Sequence, residues 1–448
     1  MDYIADIIRD ISELVKLPTI YDPDTAKAGK PYGENVALGY EWIKAKALRD
    51  GFEVLEYDGH ALAIRIKGSE RPHRIDIASH IDVVAPGGGW DSDPFSGSVS
   101  MDYIYGRGTV DMKGTLILTY YALKYMKDNR LPCNHELRLV IGCDEERTMQ
   151  DMRYYIQKAG APDFAFTPDG KFPYSLGEKG ALMWVLEGEA DTCIEEFEGG
   201  VQCNVVSPVA QVKLKGTSYV ARCREYLQGY EYSARVDCDG EYTTIILQGK
   251  AAHASIPEAG FNATVYLLKL ISDISNDKVA TQLYRCFQDY YGNGAGIAYD
   301  ILPMGKLTMN LGILNIQQGK LSAEVDCRYP MGISSDTLTR KLQEALTPFT
   351  VALCYDDQPT LADQASAYLE VLLSTYREIG KDLDAQPFIS GGVTYSKAIP
   401  NCVAFGPARQ GELILAHQAN ERLELRRIPE LFEIYKETMI RLAGLKIM

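Results

Sequence analysis

Closely spaced cysteines are missing from this chain of 448 residues. Its ten cysteines are scattered, and the nearest pairs, Cys133 with Cys143 and Cys193 with Cys203, are ten residues apart. This spacing excludes a CxxC redox motif and a zinc cluster built from thiolates. Scattered cysteines are typical of a reducing compartment, so we predict a cytoplasmic protein.

Long apolar segments are missing as well. No window of about 18 uncharged apolar residues occurs, and the sequence therefore predicts no membrane span and no membrane partner. The first 20 residues, MDYIADIIRDISELVKLPTI, place acids within an apolar pattern of helical period. That pattern differs from a basic and then apolar signal peptide, and it predicts the opening helix of the first domain.

Positive charge is in deficit. The chain has 46 Lys and Arg against 61 Asp and Glu, which gives a net charge of −15. This charge opposes binding to nucleic acid, so we predict no nucleic-acid partner. The hydrophobic fraction of 46% and the charged fraction of 24% are ordinary for a globular protein.

Two patterns of secondary structure follow each other along the chain. Between residues 60 and 170, short apolar strands that end in polar clusters alternate with helices, which predicts an α/β sheet. From about residue 182, shorter alternating strands with two helices predict an α+β domain. After residue 357 the first pattern returns. We therefore predict a discontinuous domain of residues 1–181 and 358–448, interrupted by an inserted domain of residues 182–357.

Histidine is scarce, with six in the chain, so the context of each one carries weight. His80 ends the apolar run RIDIAS, and Asp82 follows two positions later. In an extended segment both side chains lie on one face, and such an acid can orient an imidazole that binds a metal. A hydrogen-bonded structural histidine is the alternative at this position.

Three adjacent acids end the apolar strand LRLVIGC. Asp144, Glu145 and Glu146 would repel one another there unless cations were present. Neighbouring side chains of an extended chain point to opposite sides, so one glutamate could hold a metal while the other reaches a water molecule. A solvated acidic loop before a helix is the alternative.

Three further residues lie where apolar segments meet loops. Asp111 lies in the glycine-rich turn YGRGTVDMKGT, Asp169 ends FAFTPDG, and His417 lies in ILAHQANERLEL. Each alone is compatible with a turn or surface residue. Together with His80 and Glu146 they provide two imidazoles and three carboxylates where an α/β domain builds its sites. This set suits zinc, with manganese or cobalt as alternatives.

Six motifs in chain order carry a family resemblance: SHIDVVAPGGGWDSDPF, YGRGTVDMKGT, GCDEE, FTPDGKFPYSLGEKG, KAAHASIPEAGFNA and AHQANE. They resemble the co-catalytic zinc peptidase family of aminoacylase, glutamate carboxypeptidase and carnosinase, and most of all its dipeptidase V branch. The resemblance covers nearly the whole chain. It implies an α/β catalytic domain with a mixed sheet flanked by helices, interrupted by an α+β lid domain.

The same resemblance implies two divalent metal ions as cofactors, with Zn²⁺ preferred over Mn²⁺ or Co²⁺. His80, Asp111 and Asp169 are implied as ligands of one ion. Asp111, Glu146 and His417 are implied as ligands of the other, so that Asp111 bridges the two.

The remaining implied roles concern catalysis and substrate. Glu145 is implied as the general base, and Asp82 as the partner of the first ligand histidine. In the lid, His253 in KAAHASIPEAG and Asn204 in VQCNVVSP match residues that polarise the scissile carbonyl. Arg328 in VDCRYP resembles the arginine that grips the substrate carboxylate, a role that suits a planar guanidinium.

One loop departs from the branch. Where the branch reads GGGTYAR, this chain reads GGVTYSK, with Gly391 and Gly392 kept but Val393 and Lys397 in place of a glycine and an arginine. The loop contacts the substrate end in relatives, so the departure bears on substrate preference.

The resemblance implies hydrolysis of dipeptides that have a free C-terminal carboxylate, with a small peptide as the binding partner. An N-acyl amino acid deacylase or a carboxypeptidase would need the same metals and the same carboxylate grip. A metal-containing binding protein without turnover is the alternative from another class. The long insertion favours a monomer over a homodimer.

Overall fold

The computed structural model describes residues 3–69, 72–412 and 414–446, so residues 1–2, 70–71, 413 and 447–448 of the predicted discontinuous domain lie outside the described residues. Within the described ranges, the helices are α1 Ile4–Val15, α2 Glu34–Arg49, α3 Lys113–Asp128, α4 Gln150–Ala159, α5 Val220–Tyr226, α6 Ala263–Ser275, α7 Lys278–Phe287, α8 Ser335–Leu346, α9 Ala367–Ile379 and α10 Ile428–Gly444. The strands are β1 Glu53–Tyr57, β2 Ala61–Ile66, β3 Arg74–His80, β4 Tyr103–Tyr105, β5 Glu136–Gly142, β6 Phe164–Thr167, β7 Ser175–Glu178, β8 Gly180–Glu189, β9 Ile194–Gly199, β10 Val209–Lys215, β11 Ala234–Cys238, β12 Tyr242–Gln248, β13 Asp300–Ile301, β14 Gly305–Lys306, β15 Thr308–Gln317, β16 Lys320–Tyr329, β17 Thr350–Asp357, β18 Thr360–Leu361, β19 Phe388–Ser390, β20 Cys402–Ala404 and β21 Arg422–Glu424.

The chain divides into two compact units. Unit 1 consists of Met1–Gly177, Leu361–Phe388 and Val393–Met448, and unit 2 consists of Glu178–Thr360 and Ile389–Gly392. The predicted boundaries, 1–181 with 358–448 and 182–357, differ from this division by a few residues. The roles of catalytic domain and lid remain predictions.

Unit 1 is built on a mixed six-stranded sheet with the order β1-β2-β5-β3-β6-β20. The pairs β5/β3, β3/β6 and β6/β20 are parallel, whereas β1/β2 and β2/β5 are antiparallel. Strand β3, RIDIASH, is buried from Ile75 to His80, as expected for a parallel strand that is covered on both faces. The predicted α/β class with a mixed sheet is confirmed.

Helix α3 is the helix of unit 1 against which two others pack. Its sequence, KGTLILTYYALKYMKD, is apolar at most positions, and it is buried from Lys113 to Leu123. Helices α1 and α10 both pack against α3. The predicted opening helix is α1, which buries Ile7, Ile11 and Leu14. None of the described helices combines the length and the apolar character needed to cross a bilayer.

Unit 2 contains an antiparallel sheet of eight strands, in the order β11-β12-β10-β9-β15-β16-β8-β17. Helices α6 and α7 pack on each other and bury apolar side chains in the core of this unit. Both begin at side-chain caps, because Asn262 accepts the N–H of Val265 and Asp277 accepts the N–H of Ala280. This is the predicted α+β architecture.

Candidate metal centre

Three parallel strands of unit 1 end at the same edge of the sheet. His80 is the last residue of β3, the acidic run begins with Asp144 two residues after the end of β5, and Asp169 follows the end of β6 by two residues. Because the strands are parallel neighbours in the order β5-β3-β6, their carboxyl ends bring these side chains together. Asp111, in the turn before α3, and His417, in the loop before β21, join them.

The Asp111 carboxylate lies between two imidazoles. Its Oδ1 is 3.1 Å from Nε2 of His80, and its Oδ2 is 3.1 Å from Nε2 of His417. On the His80 side, Asp169 Oδ2 lies 3.8 Å from the same Nε2. On the His417 side, Glu146 Oε2 lies 3.0 Å from Nε2. One carboxylate therefore faces both histidines with a different oxygen, which is the arrangement a bridging ligand needs.

Asp82 holds two members of the cluster. The Nδ1 of His80 lies 2.9 Å from the Asp82 backbone carbonyl and 3.5 Å from its carboxylate Oδ1. A carbonyl oxygen only accepts, so Nδ1 carries the hydrogen and Nε2 faces the acids. The Asp82 Oδ2 accepts the backbone N–H of Glu146 at 3.1 Å. The predicted partner of His80 therefore orients the ring mainly through its main chain.

The three adjacent acids after β5 separate in direction. Asp144 turns aside, where its carboxylate accepts from the Thr148 hydroxyl and pairs with Arg147. Glu145 is buried, and its Oε2 lies 3.9 Å from the His80 Nε2. Its Oε1 is buried without a hydrogen-bond partner among the described residues. A buried carboxylate oxygen without a partner indicates that a further group belongs in this cluster.

Burial and mutual repulsion work against charge on three of the acids. Burial raises the pKa of Glu145 well above its ordinary value, and the charge of Asp169 adds to this effect. Burial and the charge of Asp111 raise the pKa of Glu146 to about 7. The same two causes raise the pKa of Asp169.

The two imidazoles show the opposite balance. Burial opposes a positive charge on His80, but its hydrogen bonds to the acids outweigh burial and raise its pKa well above the ordinary value. The same competition raises the pKa of His417 to about 11. Burial also opposes charge on Asp111, yet hydrogen bonds from both histidines hold its pKa below the ordinary range. The cluster therefore stabilises positive charge at its centre.

The donor set fits divalent metal ions. Ligand atoms of His80, Asp111 and Glu146 lie within 4.8 Å of one another, as do those of His80, Glu145 and Asp169. Imidazole nitrogen and carboxylate oxygen are ligands that zinc accepts, and manganese and cobalt accept them too. Cations would also offset the repulsion among the buried carboxylates and give the unpaired Glu145 oxygen a neighbour of opposite charge.

In unit 2, the segments that carry Asn204 and His253 lie side by side. The N–H of Ala254 donates to the Asn204 carbonyl at 2.9 Å, and Nδ1 of His253 lies 2.7 Å from the Ser255 hydroxyl. From β15, the Asn310 amide donates to main-chain carbonyls on both sides of Asn204. The structure therefore brings two of the predicted substrate-binding residues together.

Arg328 is already paired within unit 2. It is 6% exposed, and its Nε and Nη2 donate to the two carboxylate oxygens of Asp326 at 2.9 and 2.7 Å. Its Nη1 donates to the Gly391 carbonyl at 3.1 Å. A Cβ at Gly391 would lie 2.6 Å from the Ser255 Cβ, so a side chain does not fit there. Gly392 follows in the same segment.

Four residues that contact the predicted site residues or their segments were not singled out from the sequence: Arg107 and Glu421 in unit 1, and Ser255 and Asp326 in unit 2. Asp326 had a detectable signal, since it stands two positions from Arg328 within β16, a spacing that shares a face in extended chain. Ser255 stands two positions from His253, but it lies in a turn, where that rule does not apply. The other two are 314 residues apart and contact each other, and no local pattern predicts that contact.

A model of the peptidase family M20/M25/M40 matches residues 77–441, a range that includes every residue of the metal cluster. A protein of Staphylococcus saprophyticus named "Putative dipeptidase SSP1012" is 29% identical over 463 residues, with 98% of each chain covered. A protein of Bacillus subtilis named "Putative dipeptidase YtjP" is 28% identical over 455 residues, with 98% of this chain and 97% of that protein covered. The crystal structure of human carnosine dipeptidase 1 has the same fold, with a TM-score of 0.62 and 12% identity over 99% of this chain and 97% of that chain.

Proposed function

The chain belongs to the peptidase family M20/M25/M40, and we propose that it is a dipeptidase that requires a free C-terminal carboxylate on its substrate. Membership confirms the resemblance that the six motifs indicated, and it makes the protein a metal-dependent hydrolase of peptide bonds. The two-ion part of this proposal depends above all on Asp111, whose two carboxylate oxygens each lie 3.1 Å from a different histidine.

We assign the metal ligands as two sets that share one residue. His80, Asp111 and Asp169 would hold one ion, and Asp111, Glu146 and His417 would hold the other. Two divalent ions, most simply zinc, would supply Lewis acidity that lowers the pKa of water and stabilises negative charge on the carbonyl oxygen.

Glu145 is assigned as the general base. Its Oε1 is buried and has no hydrogen-bond partner in the described part of the chain, so it is available to accept a proton from the attacking water. Burial raises the pKa of this carboxyl group, which strengthens its affinity for a proton relative to an exposed glutamate. The proton would then pass from Glu145 to the leaving amine.

Residues of unit 2 are assigned to the substrate. We propose that His253 and Asn204 donate to the oxygen of the scissile carbonyl, where negative charge develops. Arg328 would bind the C-terminal carboxylate. A guanidinium has five N–H groups, and Asp326 and Gly391 occupy three of them. Among the described contacts, none occupies the other two N–H groups, which would bind the substrate carboxylate.

His253→Ala should lower kcat by about 10² to 10³-fold, the usual cost of removing an oxyanion donor. The metal content should stay at the wild-type value, because every assigned ligand is kept. Steady-state kinetics and elemental analysis on one preparation test both points. The matched variant Ser255→Ala removes only the hydroxyl that contacts Nδ1 and should cost less. A wild-type kcat in His253→Ala would return this residue to a structural role.

Dipeptides should be cleaved, whereas their C-terminal amides should be poor substrates, because the amides lack the charge that Arg328 binds. Longer peptides should also be poor substrates. Removing one partner of a buried charge pair costs about 2 to 5 kcal/mol. Arg328→Ala should therefore lower kcat/KM for dipeptides and narrow the gap between acid and amide substrates. The exposed Arg340 of α8, which pairs with Glu344, supplies the control Arg340→Ala.

A substrate panel separates this proposal from related activities. Apo protein reconstituted with Zn²⁺, Mn²⁺ or Co²⁺ would be assayed on dipeptides, dipeptide amides, N-acetylated amino acids and tripeptides. We expect the highest kcat/KM on dipeptides with both termini free. Faster cleavage of N-acetylated substrates would indicate a deacylase, and equal rates on amides would contradict the carboxylate grip. No turnover with any metal would contradict the enzyme assignment.

A further inference from the structure

A fully buried ion pair joins the two loops that carry Asp111 and His417. Arg107 and Glu421 are 1% and 0% exposed, and the Arg107 Nη1 lies 2.6 Å from the Glu421 Oε2. Arg107 precedes Asp111 by four residues, and Glu421 follows His417 by four. The pair therefore connects the two chain segments whose side chains meet in the metal centre.

The second oxygen of Glu421 shapes the turn that presents Asp111. Its Oε1 accepts the backbone N–H groups of Gly108 at 3.0 Å, Val110 at 2.8 Å and Asp111 at 3.3 Å. Its main-chain carbonyl accepts the N–H of Gly106 at 2.9 Å. Charge-assisted bonds of this kind are the strong ones, so one carboxylate fixes the main chain of the bridging residue.

Arg107 also contacts the loop that carries His417. Its Nη1 also donates to the Gln418 carbonyl at 3.4 Å, and its Nη2 donates to the Pro86 carbonyl at 3.3 Å. Its guanidinium carbon lies 5.3 Å from the centre of the Trp90 ring, within the range of a cation–π contact. The guanidinium thus contacts the residue that directly follows His417.

His417 needs such support more than His80 does. His80 ends a central strand and is completely buried, so the sheet holds it. The His417 side chain is 51% exposed, and its backbone has a φ of 63°, a left-handed conformation that is costly for a residue with a Cβ. Its position therefore depends on the hydrogen bonds made by the residues that follow it.

We propose that Arg107 and Glu421 are positioning residues that set the separation of Asp111 and His417 and thereby the affinity of the ion that these two ligands share with Glu146. The inference rests on the proposed two-ion function. Partners that orient metal ligands typically change metal affinity by about 10 to 100-fold when they are removed. Asp111 is assigned to both ions, so both should bind less tightly, but the loss should be larger for the ion that His417 holds, because the sheet holds His80 independently.

Titration of Co²⁺ into the full-length apo protein, followed by calorimetry and visible absorption, tests this inference. Wild-type protein should show two binding steps, and Glu421→Gln should weaken one of them by about 10 to 100-fold and the other by a smaller factor. Arg107→Lys keeps the charge but loses the planar fork, and it should weaken the same step. The control Asp76→Asn alters another fully buried carboxylate of unit 1, on β3, and should change neither step.

Loss of fold is a separate risk, because Glu421→Gln leaves the Arg107 charge buried without its partner. The double variant Arg107→Gln/Glu421→Gln removes both charges, and it should still show the weakened step at a thermal stability near wild type. Equal weakening of both steps, or wild-type affinity in the double variant, would overturn the positioning role. Unequal weakening of the two steps, together with a wild-type protein that cleaves no dipeptide, would support the positioning role while contradicting the proposed function.

Discussion

Purified Asp111→Ala protein should retain neither of two tightly bound metal ions, whereas the wild type should carry up to two per chain. The reason is that this carboxylate faces both histidines, with Oδ1 3.1 Å from His80 and Oδ2 3.1 Å from His417. Alanine removes a ligand from both sets at once and leaves two protein ligands for each ion. Elemental analysis after dialysis against metal-free buffer measures the effect directly.

The matched variant for this experiment is Asp169→Ala, which removes a ligand assigned to one ion only. It should keep about one metal equivalent, so that the two variants differ by one ion. Activity would be lost in both variants and does not discriminate between them. Circular dichroism should show that both chains are folded. Two full equivalents in folded Asp111→Ala protein would contradict the bridging assignment.

Much of the fold around this site follows from local sequence. Apolar runs such as RIDIAS and LRLVIGC predict buried strands, and the observed β3 and β5 follow them closely. Helix α3 begins at Lys113, near the end of the glycine-rich motif that contains Asp111. Parallel strands end at a common edge, so the meeting of His80, Glu146 and Asp169 follows once the strands are predicted to be parallel.

The contacts around the ligands could not be predicted in the same way. The spacing rule for extended chain places the Asp82 side chain on the same face as His80, but β3 ends at His80. Beyond that end, the His80 Nδ1 lies 2.9 Å from the Asp82 main-chain carbonyl and 3.5 Å from the carboxylate Oδ1, while the Oδ2 accepts the Glu146 N–H. A rule for regular strands does not cover the residues just past a strand end.

Long-range pairing is the other limit. Arg107 and Glu421 are 314 residues apart, and each looks locally like an ordinary charged residue in a loop. Only the tertiary structure shows that both are buried. Likewise, the sequence suggested Arg328 as a carboxylate ligand without showing that Asp326 already occupies its Nε and Nη2.

Glu145→Gln should keep both metal ions and the fold but lower kcat by about 10² to 10⁴-fold, the usual contribution of general-base catalysis. The amide preserves the shape of the side chain and removes its capacity to accept the proton. Glu146→Gln should instead lose one metal equivalent, because the Glu146 Oε2 lies 3.0 Å from the His417 Nε2. Dipeptide hydrolysis and elemental analysis on the same preparations measure the two effects.

Asp144, the first of the three adjacent acids, provides the control for the Glu145 and Glu146 variants. Asp144 precedes Glu145, but its carboxylate is turned toward Thr148 and Arg147, so Asp144→Asn should keep both the rate and the metals. If all three variants lost activity equally while retaining metal, general disturbance of the loop would explain the losses better than a base at Glu145. If Glu145→Gln were depleted of metal and Glu146→Gln were not, the ligand would be Glu145, and the unpaired Glu145 oxygen would mark a metal position instead of the site that accepts the proton.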